Sequence, residues 1–164
     1  VLINDVGLDA VKQQVARPLA GMTIACYYGC QVVRPYARFD DEYNPMSMDR
    51  LLRTLGAETI DWPLKSRCCG AALTGTIEEA GLRLSHILLT EARKRGADLV
   101  ATCCPLCQFN LECYQGRMRR HFGDDVRMPV AFFTQMMGLA FGLDERTLGL
   151  QRLMVPVAPA LAAT

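Results

Sequence analysis

The sequence predicts an α/β fold, a three-layer sandwich with a short, mostly parallel sheet. Two observations carry it. Short apolar runs alternate with segments whose apolar residues recur at helical spacing, and the runs end at turns marked by glycine, proline or cysteine. In chain order, residues 22–27 read as a buried strand running into Gly29. Residues 45–55 put Met48, Leu51, Leu52 and Leu55 at helical spacing, with Ser47 as N-cap and Gly56 as the stop. Residues 58–62 form a second strand, closed by Pro63. Thr76 and Glu79 make a capping box at the head of the clearest helix, which ends in the basic turn Arg93-Lys94-Arg95 before Gly96. Residues 98–102 are a third strand and 105–121 a helix opened by proline; residues 128–133 are a fourth strand and 135–143 a last helix. Residues 1–19 supply an extra N-terminal helix. The domain spans 1–150, and 151–164 form a tail, loose or docked on a partner.

Composition narrows the function. The chain has 164 residues, 51% of them apolar and 21% charged, enough to bury the core of one domain and too apolar for wholesale disorder. Eighteen basic against 17 acidic residues leave a net charge of +1, which offers no electrostatic reason for nucleic acid or an anionic membrane as partner. The N-terminus lacks the order of a signal peptide, and no run of about 18 apolar residues offers a membrane span. A cytoplasmic location is therefore expected, where thiols stay reduced and cysteine clusters serve metal or redox chemistry.

Of the eight cysteines, five are placed by turns rather than by apolar periodicity. Parallel strands joined by right-handed crossovers bring their C-terminal ends to one edge of the sheet. Cys30 follows the first strand, Cys68 and Cys69 the second, Cys104 and Cys107 the third, so three loops carry five thiols to one edge. Gly29 and Gly70 permit close backbone approach beside them. Cys104-Pro-Leu-Cys107 opens a helix, whose free N–H groups favour thiolate. Sulfur ligands select zinc, copper(I) or iron–sulfur clusters. A fifth thiol exceeds the four that zinc or a cubane cluster takes, which leaves either an unusual cluster or a redox-active cysteine beside an ordinary site. Cys26 and Cys113 read as small buried apolar residues. Cys103 abuts the site, with its role open.

The order Cys30, Cys68-Cys69-Gly70, Cys104-x-x-Cys107 resembles the cysteine-rich CCG domain of the B-type subunit of heterodisulfide reductase and its relatives. Those relatives include thiol:fumarate reductase and the iron–sulfur subunits of glycolate, lactate and anaerobic glycerol-phosphate oxidation. Tyr27-Tyr28-Gly29-Cys30, Arg34-Pro35, Cys68-Cys69-Gly70-Ala71 and Cys104-Pro105-Leu106-Cys107-Gln108-Phe109-Asn110-Leu111 sharpen the likeness, which is greatest to the C-terminal CCG domain of the heterodisulfide reductase subunit. The spacing from Cys69 to Cys104 sits about one residue short of the family's.

The resemblance implies a non-cubane [4Fe-4S] cluster held by Cys30, Cys68, Cys69, Cys104 and Cys107, and an oxidoreductase that cleaves or forms a disulfide as part of a multisubunit complex. It implies as partners a second CCG domain, a ferredoxin-like iron–sulfur subunit and a flavin-containing subunit. Two other readings stand beside it: a non-catalytic electron-relay subunit of a flavin dehydrogenase, and a structural zinc domain. In methanogens the family's disulfide joins two anionic cofactors. Arg34, Arg38, Lys65 and Arg67 are the basic residues expected near the site to hold such ends.

Overall fold

The structure, a computed structural model, describes residues 1–34 and 39–157; Arg38 lies outside the described residues. Four strands, β1 (Thr23–Tyr27), β2 (Glu58–Thr59), β3 (Leu99–Thr102) and β4 (Val130–Phe132), form a parallel sheet in the order β2-β1-β3-β4. Between and around them run α1 (Leu8–Gln13), α2 (Ser47–Thr54), α3 (Ala71–Thr74), α4 (Glu78–Lys94), α5 (Pro105–Cys113), α6 (Gln115–Phe122) and α7 (Phe133–Ala140). The α/β sandwich read from the alternation is the fold observed.

Strand periodicity divides the core into two halves. Ile24, Cys26, Leu99 and Ala101 face α1, α2 and α7, while Ala25, Tyr27, Val100 and Val130 face α4, α5 and α6. The connection from β1 to β2 passes over the first face, and that from β3 to β4 over the second. The chain therefore leaves the neighbouring strands β1 and β3 in opposite directions. That divergence opens a crevice at their C-terminal ends, the place where open parallel sheets hold their ligands.

Several elements differ from the sequence reading. Ser47 does not cap α2; the Asp40 carboxylate reaches forward instead, and its Oδ2 accepts the Met46 N–H at 2.9 Å and the Ser47 N–H at 2.6 Å. No capping box forms at Thr76, whose hydroxyl donates back to the Leu73 carbonyl while α4 starts at Glu78. β2 ends early because Trp62 turns into the core and its Nε1–H donates to the Cys26 carbonyl at 3.0 Å. β4 cannot begin at Met128, since Pro129 has no N–H for the ladder.

The helix read over 105–121 is two helices broken at Tyr114. At the break the Gln115 side chain takes the Leu111 carbonyl and pairs with both the N–H and the carbonyl of Met128. The N-terminal helix is likewise shorter than read: a π-helical turn at Leu2–Val6 precedes α1. Of the tail, Leu153 packs on the first core half and Val157 is buried in it. The Met154 N–H donates to Glu112 at 2.6 Å.

The Asp40 cap has a pH signature. Burial opposes its ionisation, but hydrogen bonds from Ser47, Met46 and Asp41 outweigh that and hold the carboxyl below its ordinary value. A depressed folded-state value means the contribution is complete above the unfolded carboxylate range, about pH 4, and fades as pH falls through the folded value. Asp40→Ala is expected to cost about 1 kcal/mol at neutral pH. Asp40→Asn, which still accepts both bonds, should cost less and lose this part of the acid sensitivity. Urea melts at pH 7 and pH 3 measure both.

Candidate iron–sulfur site

Cys30, Cys68, Cys69 and Cys104 lie on the loops that follow β1, β2 and β3, with Cys107 in the first turn of α5, and each segment is shaped by a local requirement. After β1 the chain turns at Gly29, with φ +70°; a Cβ there would stand 3.0 Å from the Cys107 Sγ. Glycine thus supplies both the left-handed turn and the gap into which the second thiol fits. After β2, residues 65–70 fold back toward β1, and the Cys68 Sγ accepts the Gly70 N–H at 3.3 Å. Gly70 has φ +82°, and a Cβ on it would lie 2.9 Å from the Gly81 Cα of α4, so the turn rests directly on a helix backbone. After β3, Cys104 is the N-cap of α5, Pro105 occupies the first turn, and Cys107 sits one turn in.

The thiols fall into pairs. Cys69 Sγ and Cys107 Sγ are 3.6 Å apart and buried, with Cys104 adjoining Cys107. Cys30 adjoins Cys68, which is exposed. The Cys107 thiol is the main cause holding Cys69 down at about 6 against burial, helped by the Ala71 N–H and Tyr27. That contact, together with burial, pushes Cys107 up. For Cys30, burial and the neighbouring Cys68 both act upward.

Among the described residues, no three His, Cys, Asp or Glu side chains are grouped to hold a single metal ion. What the crevice offers is a wholly sulfur donor set and the gap left by Gly29. In residue type, that set suits an iron–sulfur group and not a hard, oxygen-seeking cation.

The remaining cysteines separate by strand alternation. Cys26 is fully buried in the first core half. Cys103 packs against that same half, its Sγ 3.9 Å from the Tyr28 carbonyl, so adjacency in sequence puts it on the other side of the sheet from Cys104. Cys113 lies at the far end of α5 and is half-buried. The two histidines pack around Phe122, at ring distances of 4.5 Å for His86 and 4.6 Å for His121.

Two polar networks beneath the cysteines escaped the sequence reading. Asn110 is buried and donates to the Cys69 carbonyl at 2.8 Å and to Ser85 Oγ at 2.7 Å, while Thr74 Oγ1 donates to its Oδ1 at 2.7 Å. It lies one helical turn after Cys107, and that spacing from a cysteine was the available signal. The second network corrects an expectation. Lys65, counted among the basic residues near the site, is buried with 1% of its side chain exposed and pairs with buried Asp49 at 3.3 Å. It is not free to hold a ligand. Arg34 and Arg67 do line a cleft of about 400 Å³ with Cys30, Cys68, Leu84 and Ile87.

The profile of the cysteine-rich CCG domain matches residues 24–112, just over half of the chain. The chain is 31% identical over 145 residues to the 8-methylmenaquinol:fumarate reductase membrane anchor subunit of Wolinella succinogenes, covering 87% of this chain and 51% of that one. It is 30% identical over 156 residues to the B-type subunit of the ferredoxin:CoB-CoM heterodisulfide reductase of Methanosarcina mazei, covering 92% and 51%. A protein of Archaeoglobus profundus that is like the B-type heterodisulfide reductase subunit is 31% identical over 157 residues, covering 92% and 52%. The chain thus spans about half the length of these relatives. Among solved structures, a hypothetical protein from Helicobacter pylori superposes with a TM-score of 0.69 at 16% identity over 91% of this chain and 28% of that one, a likeness of fold alone. With the CCG-domain profile matching more than half of its residues, the chain belongs to the CCG cysteine-rich domain family that includes the B-type subunit of heterodisulfide reductase.

Proposed function

We propose that this chain is the iron–sulfur domain of a heterodisulfide reductase-like complex, in which a disulfide is reductively cleaved, or formed in reverse, at a non-cubane [4Fe-4S] cluster. The reading is supported by three cysteine-bearing segments at the C-terminal ends of parallel strands, with Cys69 Sγ and Cys107 Sγ 3.6 Å apart beside the gap kept open by Gly29. Cys30, Cys68, Cys69, Cys104 and Cys107 would hold the group. When bound, it would supply one-electron exchange and a site for a substrate thiolate. Tyr27, whose hydroxyl donates to the Arg67 carbonyl at 2.6 Å, and Trp62 pack beneath the crevice and exclude water from its buried side. Cys30 and Cys68, on the open side, border the cleft where substrate would enter.

Cleaving one disulfide to two thiols takes two electrons and two protons. Both must come from outside these residues. The relatives are named as subunits of reductases, and their length leaves room for a further domain. This favours as partners a second CCG domain, a ferredoxin-like subunit and a flavin-containing subunit. Among the described residues, no helix is long and apolar enough to cross a membrane.

Iron and acid-labile sulfide analysis of anaerobically purified protein tests the reading: both should be present, and stoichiometric zinc without sulfide would replace it with a structural zinc domain. Replacing any one of the five cysteines by Ser should lower iron content or change the electron paramagnetic resonance signal. Cys26→Ser and Cys113→Ser should leave both unchanged. A native spectrum from Cys68→Ser or Cys69→Ser would point to an ordinary four-thiolate cluster.

Arg34 and Arg67 make the cleft suitable for a disulfide with an anionic end and an apolar body lying against Leu84 and Ile87. Arg34→Ala or Arg67→Ala should weaken binding of such a disulfide by about 1.5–3 kcal/mol with iron content unchanged. Equal binding of neutral and anionic disulfides by the intact complex, with both variants unaffected, would remove this assignment.

A further inference from the structure

Removing two charges from water is costly, and apolar residues of equal volume would stabilise the interior as well as a buried lysine–aspartate pair does. What such a pair adds is the selection of one geometry. Here the geometry is a closed circuit between two cysteine loops. The Lys65 carbonyl accepts the N–H groups of Tyr28 at 2.8 Å and Gly29 at 3.1 Å. Tyr28 Oη donates to Asp49 at 2.6 Å and accepts the N–H groups of Met48 at 2.8 Å and Asp49 at 3.1 Å. Lys65 Nζ closes the ring on Asp49 at 3.3 Å, with the Pro45 carbonyl and Met46 Sδ as its other acceptors. All three side chains are essentially inaccessible to water. Tyr28 stands two residues before Cys30, and Lys65 three before Cys68.

We propose that Tyr28, Asp49 and Lys65 are positioning residues that clasp the Cys30 loop to the Cys68–Cys69 loop, so that these thiols are already neighbours in the unloaded protein. The circuit joins the two loops through backbone on one side and through buried side chains on the other. Neither loop can shift without breaking a charged hydrogen bond away from water, so the loops move together or not at all. Asp49 is carried by α2, which anchors the clasp to the first core half. Asn110 performs the matching task between the Cys69 loop and α5. What the clasped thiols hold rests on the iron–sulfur reading above; that they are held together does not.

The test uses the full chain without metal, treated with the short thiol cross-linker dibromobimane. The linked Cys30–Cys68 peptide is quantified by mass spectrometry against the linked Cys69–Cys107 peptide. Tyr28→Phe keeps the ring in the core and removes the three hydroxyl hydrogen bonds. It should lower the Cys30–Cys68 yield relative to the reference pair by about tenfold, the effect of about 1.4 kcal/mol of lost hydrogen bonding. A variant that merely destabilises the fold would lower both yields together. Lys65→Met with Asp49→Leu, which removes the pair but keeps apolar volume, should shift the ratio in the same direction.

In the wild type, the Tyr28 and Gly29 amides should exchange with solvent as slowly as those of β1. An unchanged ratio in folded Tyr28→Phe, or rapid exchange of the two wild-type amides, would overturn the proposal. If instead the iron–sulfur reading fails, the wild type takes up no iron and sulfide while the cross-linking ratio stays as predicted.

Discussion

Gly81→Ala should destabilise the protein and disorder the paired-cysteine turn, while Gly116→Ala, in another helix, should stabilise it. Gly81 is the fourth residue of α4 and Gly116 the second of α6, positions where alanine is favoured over glycine by up to about 1 kcal/mol on propensity. At Gly116 a Cβ meets nothing within 4 Å, so that gain is realised. At Gly81 a Cβ would stand 2.8 Å from both the Cα and the N of Thr74, and backbone cannot rotate away as a side chain can. α3 must then lift from α4, and it carries the Gly70 turn with it. Overpacking of this kind costs roughly 1–3 kcal/mol, and more where backbone has to move. A net loss of about 2 kcal/mol is expected for Gly81→Ala. Gly70→Ala should lose more, because the left-handed φ adds roughly 1–2 kcal/mol to its own contact with the Gly81 Cα. For a chain of this length, each kcal/mol moves the melting temperature by roughly 2–4 °C. Thermal melts should therefore fall by about 4–8 °C for Gly81→Ala and rise by a few degrees for Gly116→Ala. Faster thiol modification of Cys69 in Gly81→Ala would report the opened turn; equal melting of both variants would contradict the account.

Strands and cysteine loops were legible in the sequence because both follow from short-range rules. A strand is an apolar run, and a turn is a glycine or proline, so β1, β3 and the loops after them could be read from neighbouring letters. Parallel topology then placed the thiols on one edge without knowledge of any contact. The start of α5 at Pro105 was legible, but those of α2 and α7 were not, because side chains outside the expected cap position satisfy their first N–H groups. Asp40 reaches α2 across Asp41–Pro45, and Gln135 accepts the Phe132 N–H from within α7, which therefore starts at Phe133 rather than Gln135. The break at Tyr114 depends on Gln115 finding Met128, a residue in the approach to another strand. Polar networks were hidden for the same reason. Lys65 in the sequence is a lysine like any surface lysine. Only the fold sets it against Asp49, sixteen residues away, and turns an apparent ligand clamp into internal structure.

Asn110→Ala should be among the most damaging single changes outside the cysteines, since one amide satisfies three partners, on the Cys69 loop, α3 and α4. Its NH2 group donates to the Cys69 carbonyl and to Ser85 Oγ, and its oxygen accepts from Thr74 Oγ1. Alanine removes all three bonds and leaves a cavity in a buried site beneath the cysteines. With each unsatisfied group costing about 1–3 kcal/mol, only partly relieved by rearrangement, a total loss of about 3–5 kcal/mol is expected.

Asn110→Asp separates bonding from packing, because it keeps the shape but cannot donate from a carboxylate to the Cys69 carbonyl. At neutral pH it should be at least as destabilised as Asn110→Ala. The introduced acid is buried beside a carbonyl, so its folded-state pKa lies above the unfolded value. The proton is therefore bound more tightly in the folded state, and stability should increase as pH falls through that raised value. Denaturant melts of both variants between pH 8 and pH 5 measure the difference: Asn110→Asp should recover relative to Asn110→Ala on the acid side. Parallel pH profiles would show that shape, and not the donated hydrogen bond, is what Asn110 contributes to the Cys69 loop.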